Sequence, residues 1–314
     1  MWLLGAVIPL LMVVITRDDP RGAPRTPPPP KASASDARAS DSPVSESGTL
    51  AIGTFNIRYD NPGDGPNAWP NRRRVVCEKL AQGDFWGLQE ALPSQVRELE
   101  WMVPAMRIVA RTREADPGRG EACPILYRAD RWELDPREHG TFWLSPTPAV
   151  AGSRGWDAAL PRIATFARFV ERTPRVGEAP RSLYLYNLHL DHQGERARLE
   201  SIEVVLAHMR ARERKDPIVV VGDFNAGSES APLRAVRASE SPRLFDAWRA
   251  ANPDAPEQGT FNGWNDGYGS ARIDHIFTTA DLVVKRCRID TARPDGRWPS
   301  DHAAVEAVFE WRGR

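Results

Sequence analysis

The chain has 314 residues, 41% of them hydrophobic and 11 of them tryptophan, enough for one large domain or two ordinary ones with a sizeable core. Lys plus Arg and Asp plus Glu each total 42, so the formal net charge is zero and no global basic field draws in nucleic acid, although a local patch is not excluded. The three cysteines, Cys77, Cys123 and Cys287, lie far apart and form no CxxC pair, which argues against a structural zinc site and allows at most one disulfide.

Trp2 to Ile15 is apolar and uncharged. A membrane span needs ~20 residues, so this run is short for one and fits the apolar core of an export signal. No Lys or Arg precedes it and no clear small-residue cleavage site follows closely. For residues 1–16, export signal, uncleaved membrane anchor and mis-assigned start codon all stay open. The first two imply a protein that is exported (periplasmic or extracellular) or tethered to a membrane outside the cytoplasm. Residues 17–48 are rich in Pro, Ser, Ala and Asp, including Pro27 to Pro30, and read as a disordered linker.

The folded domain is expected over residues 49–312. Leu50 to Arg58 reads as a strand with Asn56 and Arg58 on one side of its end. A Gly/Pro/Asn loop carrying Trp69 follows, then a helix from Arg72 to Gln82 that opens on three arginines, read as a solvated helix start. Asp84 to Glu90 is a short apolar strand ending in a carboxylate, and a helix is expected from Pro93 to Trp101. Strands are expected at Glu121 to Arg128, Trp132 to Leu134, Thr141 to Ser145, Ile163 to Val170 and Leu183 to His192. Glu195 to Arg212 has the helical period, with Leu199, Ile202, Val205, Leu206 and Met209 on its apolar face and His208 on its surface. Ile218 to Val221 is a β-branched run typical of a strand buried on both faces. Strands at Arg272 to Phe277, Leu282 to Ile289 and Ala303 to Trp311 complete the chain. Strands and helices alternate irregularly, which favours a mixed-sheet sandwich flanked by helices over a regular βαβ wheel.

Polar residues recur where these strands end: Asn56, Glu90, His189, Asp223, Asn225, Asp274, Asp301 and His302. Each has an ordinary explanation as a turn or cap residue. Together they form an acidic, amide and imidazole set without Cys and without a Gly-rich phosphate loop. Hard oxygen ligands such as Glu90, Asn56 and Asp301 suit Mg²⁺, Mn²⁺ or Ca²⁺, and two histidines beside carboxylates offer a base or phosphate clamps. No G-x-S-x-G elbow is present, so acyl transfer through a serine is disfavoured.

Thr54-Phe55-Asn56, Leu88-Gln89-Glu90, Asn187-Leu188-His189-Leu190, Gly222-Asp223-Phe224-Asn225, Arg272-Ile273-Asp274 and Ser300-Asp301-His302 stand in the order found in the endonuclease/exonuclease/phosphatase superfamily, the DNase I-like proteins. The chain resembles a bacterial, mostly exported branch of it, without an assigned substrate and closer to deadenylase-like members than to DNase I. The resemblance implies an α/β fold, a four-layer α/β/β/α sandwich of two packed mixed sheets, and hydrolysis of a phosphate ester by water. By resemblance, Glu90 with Asn56 holds a divalent cation, Mg²⁺ or else Mn²⁺ or Ca²⁺. His302 is the general base or a transition-state stabiliser, and Asp274 orients it. Asp223 and Asn225 orient water and phosphoryl oxygens, and in some family accounts the Asp is itself the base. His189 donates to a non-bridging oxygen and Asp301 contacts the metal or its water. Arg58 departs from the pattern of abasic-site endonucleases, which carry an acid there, and is expected to contact phosphate. Arg162 and Asn262 are further candidates for substrate contact, alongside loop packing, and His192 is a candidate extra site member.

The resemblance thus implies a phosphodiesterase or phosphatase acting on a phosphate-ester substrate of unspecified type, and a monomer is expected, although the sequence does not fix the oligomeric state. Membrane contact would come through the N-terminal segment. Two alternatives stand beside it: a secreted nuclease on DNA or RNA, and an inactive binding protein on the same fold.

Overall fold

A computed structural model of the chain describes residues 48–174 and 177–313. The expectations for residues 1–16 and for the linker up to residue 47 lie outside the described residues.

The first two strands set the pattern. β1 (Thr49–Asn56) runs through helix α1 (Trp69–Leu80) into β2 (Phe85–Gln89), and the two strands pair in parallel. Helix α2 (Pro93–Met102), β3 (Met106–Val109) and β4 (Ile125–Arg128) follow. β5 (Trp132–Trp143), β6 (Ile163–Glu171) and β7 (Ser182–His189) form an antiparallel meander. Helix α3 (Glu195–Ala211) then carries the chain into β8 (Ile218–Asp223), parallel to β7. The rest is α4 (Ala231–Ala238), β9 (Phe245–Asp246), α5 (Ala247–Ala251), β10 (Asp274–Thr278), β11 (Leu282–Asp290) and β12 (Ala304–Trp311).

Two six-stranded sheets result, in the orders β11-β12-β1-β2-β4-β3 and β5-β6-β7-β8-β10-β9. In each, the two middle strands are the one parallel pair, joined by a helix, and their neighbours are antiparallel. Helices α1 and α2 cover the outer face of the first sheet through Trp69, Val76, Leu80 and Leu99, which pack on Phe55, Trp86 and Leu88. Helices α3 and α4 cover the second through Ile202, Val205, Leu206, Met209, Leu233 and Val236 against Tyr184, Tyr186 and Val220. The fold is the four-layer α/β/β/α sandwich of the DNase I-like class.

Between the sheets, Phe85 of β2 meets Trp132 and Phe169 of the other sheet at ring distances of 5.1 and 4.8 Å. Toward the opposite end of β2 the contact becomes polar. Asn187 donates to the carbonyls of Leu88 (2.7 Å) and Pro124 (2.8 Å) and accepts from Gln89 Nε2 (2.7 Å). Gly87 lies at this crossing, where an added Cβ would fall 2.3 Å from Val221 Cγ2 and 2.8 Å from Asn187. The backbone approach at this crossing requires glycine.

Several local expectations change. The first helix starts at Trp69 because Pro70 suits its first turn. Arg72 in that helix is buried rather than solvated. Its guanidinium donates to the carbonyls of Asn67 (2.8 Å), Ile57, Arg58 (2.8 Å) and Pro299 (3.2 Å), and burial lowers its pKa to about 10. The separate strands at Trp132 to Leu134 and Thr141 to Ser145 are one strand, β5, with a register shift between Leu134 and His139 around Pro136. The strand expected from Glu121 starts only at Ile125. Leu199 is exposed, and His208 is half-buried, stacked on Phe142 at 4.3 Å. All three cysteines are free and buried.

Candidate active site

A parallel pair puts two strand C-termini at the same edge of a sheet, and an antiparallel neighbour starts there. Asn56 ends β1, and Glu90 directly follows β2. His189 ends β7, opposite Asp223, which ends β8. Asp274 opens β10, also opposite Asp223. His302 sits two residues before β12, which pairs with β1. Topology therefore delivers six polar side chains to one edge of the sandwich. The backbone turns sharply there: Arg58, Glu90 and Asn225 all adopt left-handed φ, at 54°, 62° and 47°. Non-glycine residues take such angles where surrounding contacts enforce them, commonly at functional sites.

Asp223 is the hub. Its Oδ2 accepts from Asn56 Nδ2 at 3.0 Å and faces His189 Nε2 at 3.5 Å and His302 Nε2 at 3.8 Å. Its Oδ1 accepts from the backbone N–H of Asn225 at 2.8 Å. Asn56 Nδ2 also donates to Glu90 Oε1 at 3.1 Å. One buried amide thus joins two carboxylates, while its own oxygen accepts from the N–H of Arg58 (3.0 Å). His302 Nδ1 lies 2.9 Å from Asp274 Oδ2. Asp274 Oδ1 is buried without a hydrogen-bond partner.

His302 Nδ1 is hydrogen-bonded to Asp274, while Nε2 lies 3.8 Å from the Asp223 carboxylate, beyond hydrogen-bond distance, and 3.5 Å from Asn56 Nδ2. Burial alone would lower the pKa of His302, but Asp274 and Asp223 outweigh it and push it up to about 10. Burial, with the Asp274 charge, raises Asp223 to about 7. Burial and the nearby Arg162 and Arg113 guanidinia hold His189 well below the usual imidazole range.

Two sets of residues suit a divalent cation. Asp223, Asp274 and His302 offer ligand atoms within 4.8 Å of one another, but Asp274 and His302 are engaged with each other. Glu90 accepts only from Asn56 and from the N–H of Tyr59 (3.3 Å), and among the described residues it has no ion pair. A half-buried carboxylate without an ion pair among the described residues, acted on by the Arg58 charge only at a distance and next to a second carboxylate, is a hard-oxygen set suited to a cation. The donor chemistry fits a divalent ion of the Mg²⁺ type.

The other expected residues sit around this centre. Asp301 accepts from the Ser300 hydroxyl (3.2 Å) and faces Arg58 Nε at 3.8 Å. Arg58 itself is held in a fork by Asp64 (3.0 and 3.1 Å), and that bond and the carboxylates around it raise its pKa. Asn225 donates to the Leu190 carbonyl at 3.0 Å. Arg162 pairs with Asp191 (3.4 Å) and meets the exposed His192 at 2.9 Å. Asn262 is buried in the loop behind Asp301, donating to the Ser300 carbonyl (3.2 Å) and capping Trp264 N–H (2.7 Å). Sequence reasoning missed Asp64, in the 3-10 turn Pro62–Asn67, and Arg113 and Glu121, which lie in loops without a periodic signal. It also missed Phe261, a partly exposed ring tilted against His302 at 5.0 Å.

A buried His–Asp pair, a central aspartate and a cation-ready glutamate at one edge of an α/β/β/α sandwich define a hydrolase of phosphate esters. The profile of the Endonuclease/Exonuclease/phosphatase family matches residues 53–302, and the chain belongs to that family. Among solved structures it is similar to the endonuclease/exonuclease/phosphatase of Bacteroides vulgatus, at 32% identity and TM-score 0.76, over 84% of this chain and 99% of that one. It is also similar to a mannosyl-6-phosphatase of Bacteroides thetaiotaomicron, at 29% identity and TM-score 0.74, over 83% of this chain and all (100%) of that one. The human nocturnin catalytic domain shares the fold at 16% identity and TM-score 0.64, over 85% of this chain and 95% of that one. A search of curated protein sequences returned no match.

Proposed function

We propose that the chain hydrolyses a phosphate ester by attack of water, with a divalent metal ion, Mg²⁺ or else Mn²⁺ or Ca²⁺. The observation that carries the reading is the Asp274–His302–Asp223 line joined through Asn56 to Glu90. Glu90, steadied by Asn56, would hold the ion, which when bound supplies Lewis-acid neutralisation of phosphoryl charge. The chain's own groups handle the protons. Asp223, next to His302 and His189 and with its carboxyl raised to about 7, is placed to take the water's proton. His302, fixed by Asp274, places positive charge where the attacked phosphoryl becomes more negative. His189 donates toward a non-bridging oxygen, while both Asn56 amide hydrogens are held by Glu90 and Asp223. The alcohol leaves with the electron pair of the broken P–O bond and takes up a proton.

The similarity to a mannosyl-6-phosphatase structure supports phosphate-ester hydrolysis as the reaction class. On the strength of the apolar Trp2 to Ile15 run alone, the reading locates the enzyme outside the cytoplasm. The test is a panel of phosphate esters incubated with the purified chain and each metal, with His302→Ala as control. Hydrolysis that EDTA and the substitution both abolish is expected. A folded protein that cleaves no ester with Mg²⁺, Mn²⁺ or Ca²⁺ overturns the reading.

A further inference from the structure

A cavity of about 300 Å³ lies between the first turns of α1 and the segment that leads from β11 to His302, with Arg72, Arg74, Asp295, Arg297, Trp298 and Pro299 in its lining. That is room for a small organic molecule. It stands at the catalytic edge of the first sheet, because β1 ends there and β12, antiparallel to both β1 and β11, begins there. Arg72 fastens the cavity to the centre. Its guanidinium donates to the carbonyls of Ile57 and Arg58, just past β1, and to that of Pro299, just before Asp301 and His302.

Three guanidinia and a single carboxylate, Asp295, line this cavity. Arg74 pairs with Asp295 (3.0 Å) and with Glu78 (2.5 Å), exposed contacts that water screens. Arg297 is exposed and makes no ion pair and no side-chain hydrogen bond among the described residues. Arg72 is buried and binds only carbonyls; among the described residues no carboxylate lies within ion-pair distance of it, and Asp301 and Asp64 act on it from farther off. A buried cation held by dipoles alone gains from an anion beside it. Trp298 and Pro299 add an apolar wall, with Trp298 Nε1 already donating to the Asn265 carbonyl at 2.9 Å. Guanidinium groups match phosphate oxygens in geometry and charge, and phosphate is what the neighbouring centre is built to handle.

We propose that this cavity binds a phosphate-type anion separate from the reacting one: the second phosphate of a substrate that carries two, or a free phosphate ion. Arg297 and Arg74 meet the anion at the rim, Arg72 adds its charge from the floor, and the Trp298–Pro299 wall faces whatever organic group the phosphate carries. Binding of the anion is independent of the hydrolase reading above; its assignment to a substrate rests on that reading.

The experiment is calorimetric titration of the metal-stripped full chain with inorganic phosphate at fixed ionic strength. Saturable binding is expected. Arg297→Gln should weaken it about tenfold, the loss of one charge-assisted hydrogen bond. Arg297→Lys should keep part of the affinity, Arg74→Gln together with Arg297→Gln should abolish it, and His302→Ala should leave it in place. Both arginines are exposed, so the variants keep the fold. A second arm separates the two sources, with Mg²⁺ present: kcat/KM on a hexose 1,6-bisphosphate against the hexose 6-phosphate. An advantage of about tenfold that Arg297→Gln erases, with the 6-phosphate rate unchanged, supports the substrate's own second phosphate. Equal rates with phosphate binding intact support the free ion. Absence of saturable binding, or binding that His302→Ala removes and the arginine variants do not, overturns the inference and leaves the hydrolase reading standing. Binding as expected without cleavage of any ester overturns the hydrolase reading and leaves the anion site.

Discussion

Asp274 opens a strand of one sheet, His302 lies just ahead of a strand of the other, and the two meet at 2.9 Å. The orientation of the imidazole is thus set by the packing of the two sheets. Asp274→Asn keeps the volume but removes the charge that holds His302 as an imidazolium. Losing a group that stabilises transition-state charge costs ~10²–10³ in kcat, so kcat should fall by about that factor with KM little changed. Steady-state kinetics beside a thermal melt check this. A fall in kcat below tenfold with an unchanged melt would remove the pair from the mechanism.

Arg272 stands two residues before Asp274 and is fully buried. It binds Asp246 (2.8 Å), Glu257 (2.8 Å) and Ser228 Oγ (3.1 Å) and sits 2.7 Å from His275 Nδ1. Removing one partner of a buried ion cluster costs about 3–5 kcal/mol, because the remaining charges lose their counter-charge in a dry site. Arg272→Met should therefore lower stability by that order in urea unfolding. A loss below about 1 kcal/mol would show that the cluster relaxes or hydrates. The residue belongs to a motif that sequence reading linked to the active site, but its contacts give it an anchoring part.

His208 provides a pH-dependent test outside the site. It is stacked on Phe142 and tilted against Phe166, both at 4.3 Å, with Tyr186 Oη at 3.1 Å from its Nδ1. Burial lowers its pKa from 6.5 to about 4. The folded state thus favours neutral His208, while the unfolded chain takes up a proton below about 6.5. Its contribution is complete above that pH and is lost as pH falls toward 4. At pH 5 the loss is at most about 2 kcal/mol. Buried His189 and His275 act in the same direction, so the comparison is with His208→Phe. Urea midpoints at pH 7.5 and 5.0 should fall less in the variant. Equal falls would mean that the ring is solvated.

The sequence carried much of the architecture, for reasons visible in single elements. Val219, Val220 and Val221 are β-branched, continuous and buried, so their strand was unmistakable, and its end located Asp223. The helical period of α3 was equally plain, except at Leu199. Elements with little apolar pattern escaped: β3 spans only Met106–Val109, and α4 and α5 are short and close to loops rich in Ser and Pro. Arg72 was misjudged because three successive arginines look like a solvated patch. Which of the three turns inward is decided by the carbonyls of Ile57, Arg58 and Pro299, the last 227 residues away in sequence. The convergence of the strand-end residues was expected, but the particular partners were not legible. That Asn56 would bridge Glu90 and Asp223 through its nitrogen depends on long-range register.

That bridge makes the metal reading testable without turnover. Glu90 makes no ion pair among the described residues, and Asp223 lies on the far side of the same amide. A ligand that binds only the folded state stabilises by RT ln(1 + [L]/Kd), about 2.7 kcal/mol at 100 times Kd. Adding Mg²⁺ to the metal-stripped chain should therefore raise the melting temperature by several degrees, in a saturable way. Glu90→Gln keeps the shape and the hydrogen bond to the Tyr59 N–H but removes the charge, and it should abolish most of that rise. Asp301→Asn should retain it, since the Asp301 carboxylate is turned to Ser300 and Arg58. If Glu90→Gln responds to Mg²⁺ as the unmodified chain does, the ion is held elsewhere, and the Asp223–Asp274–His302 group becomes the alternative. Asp274→Asn would then lose the response that Glu90→Gln keeps.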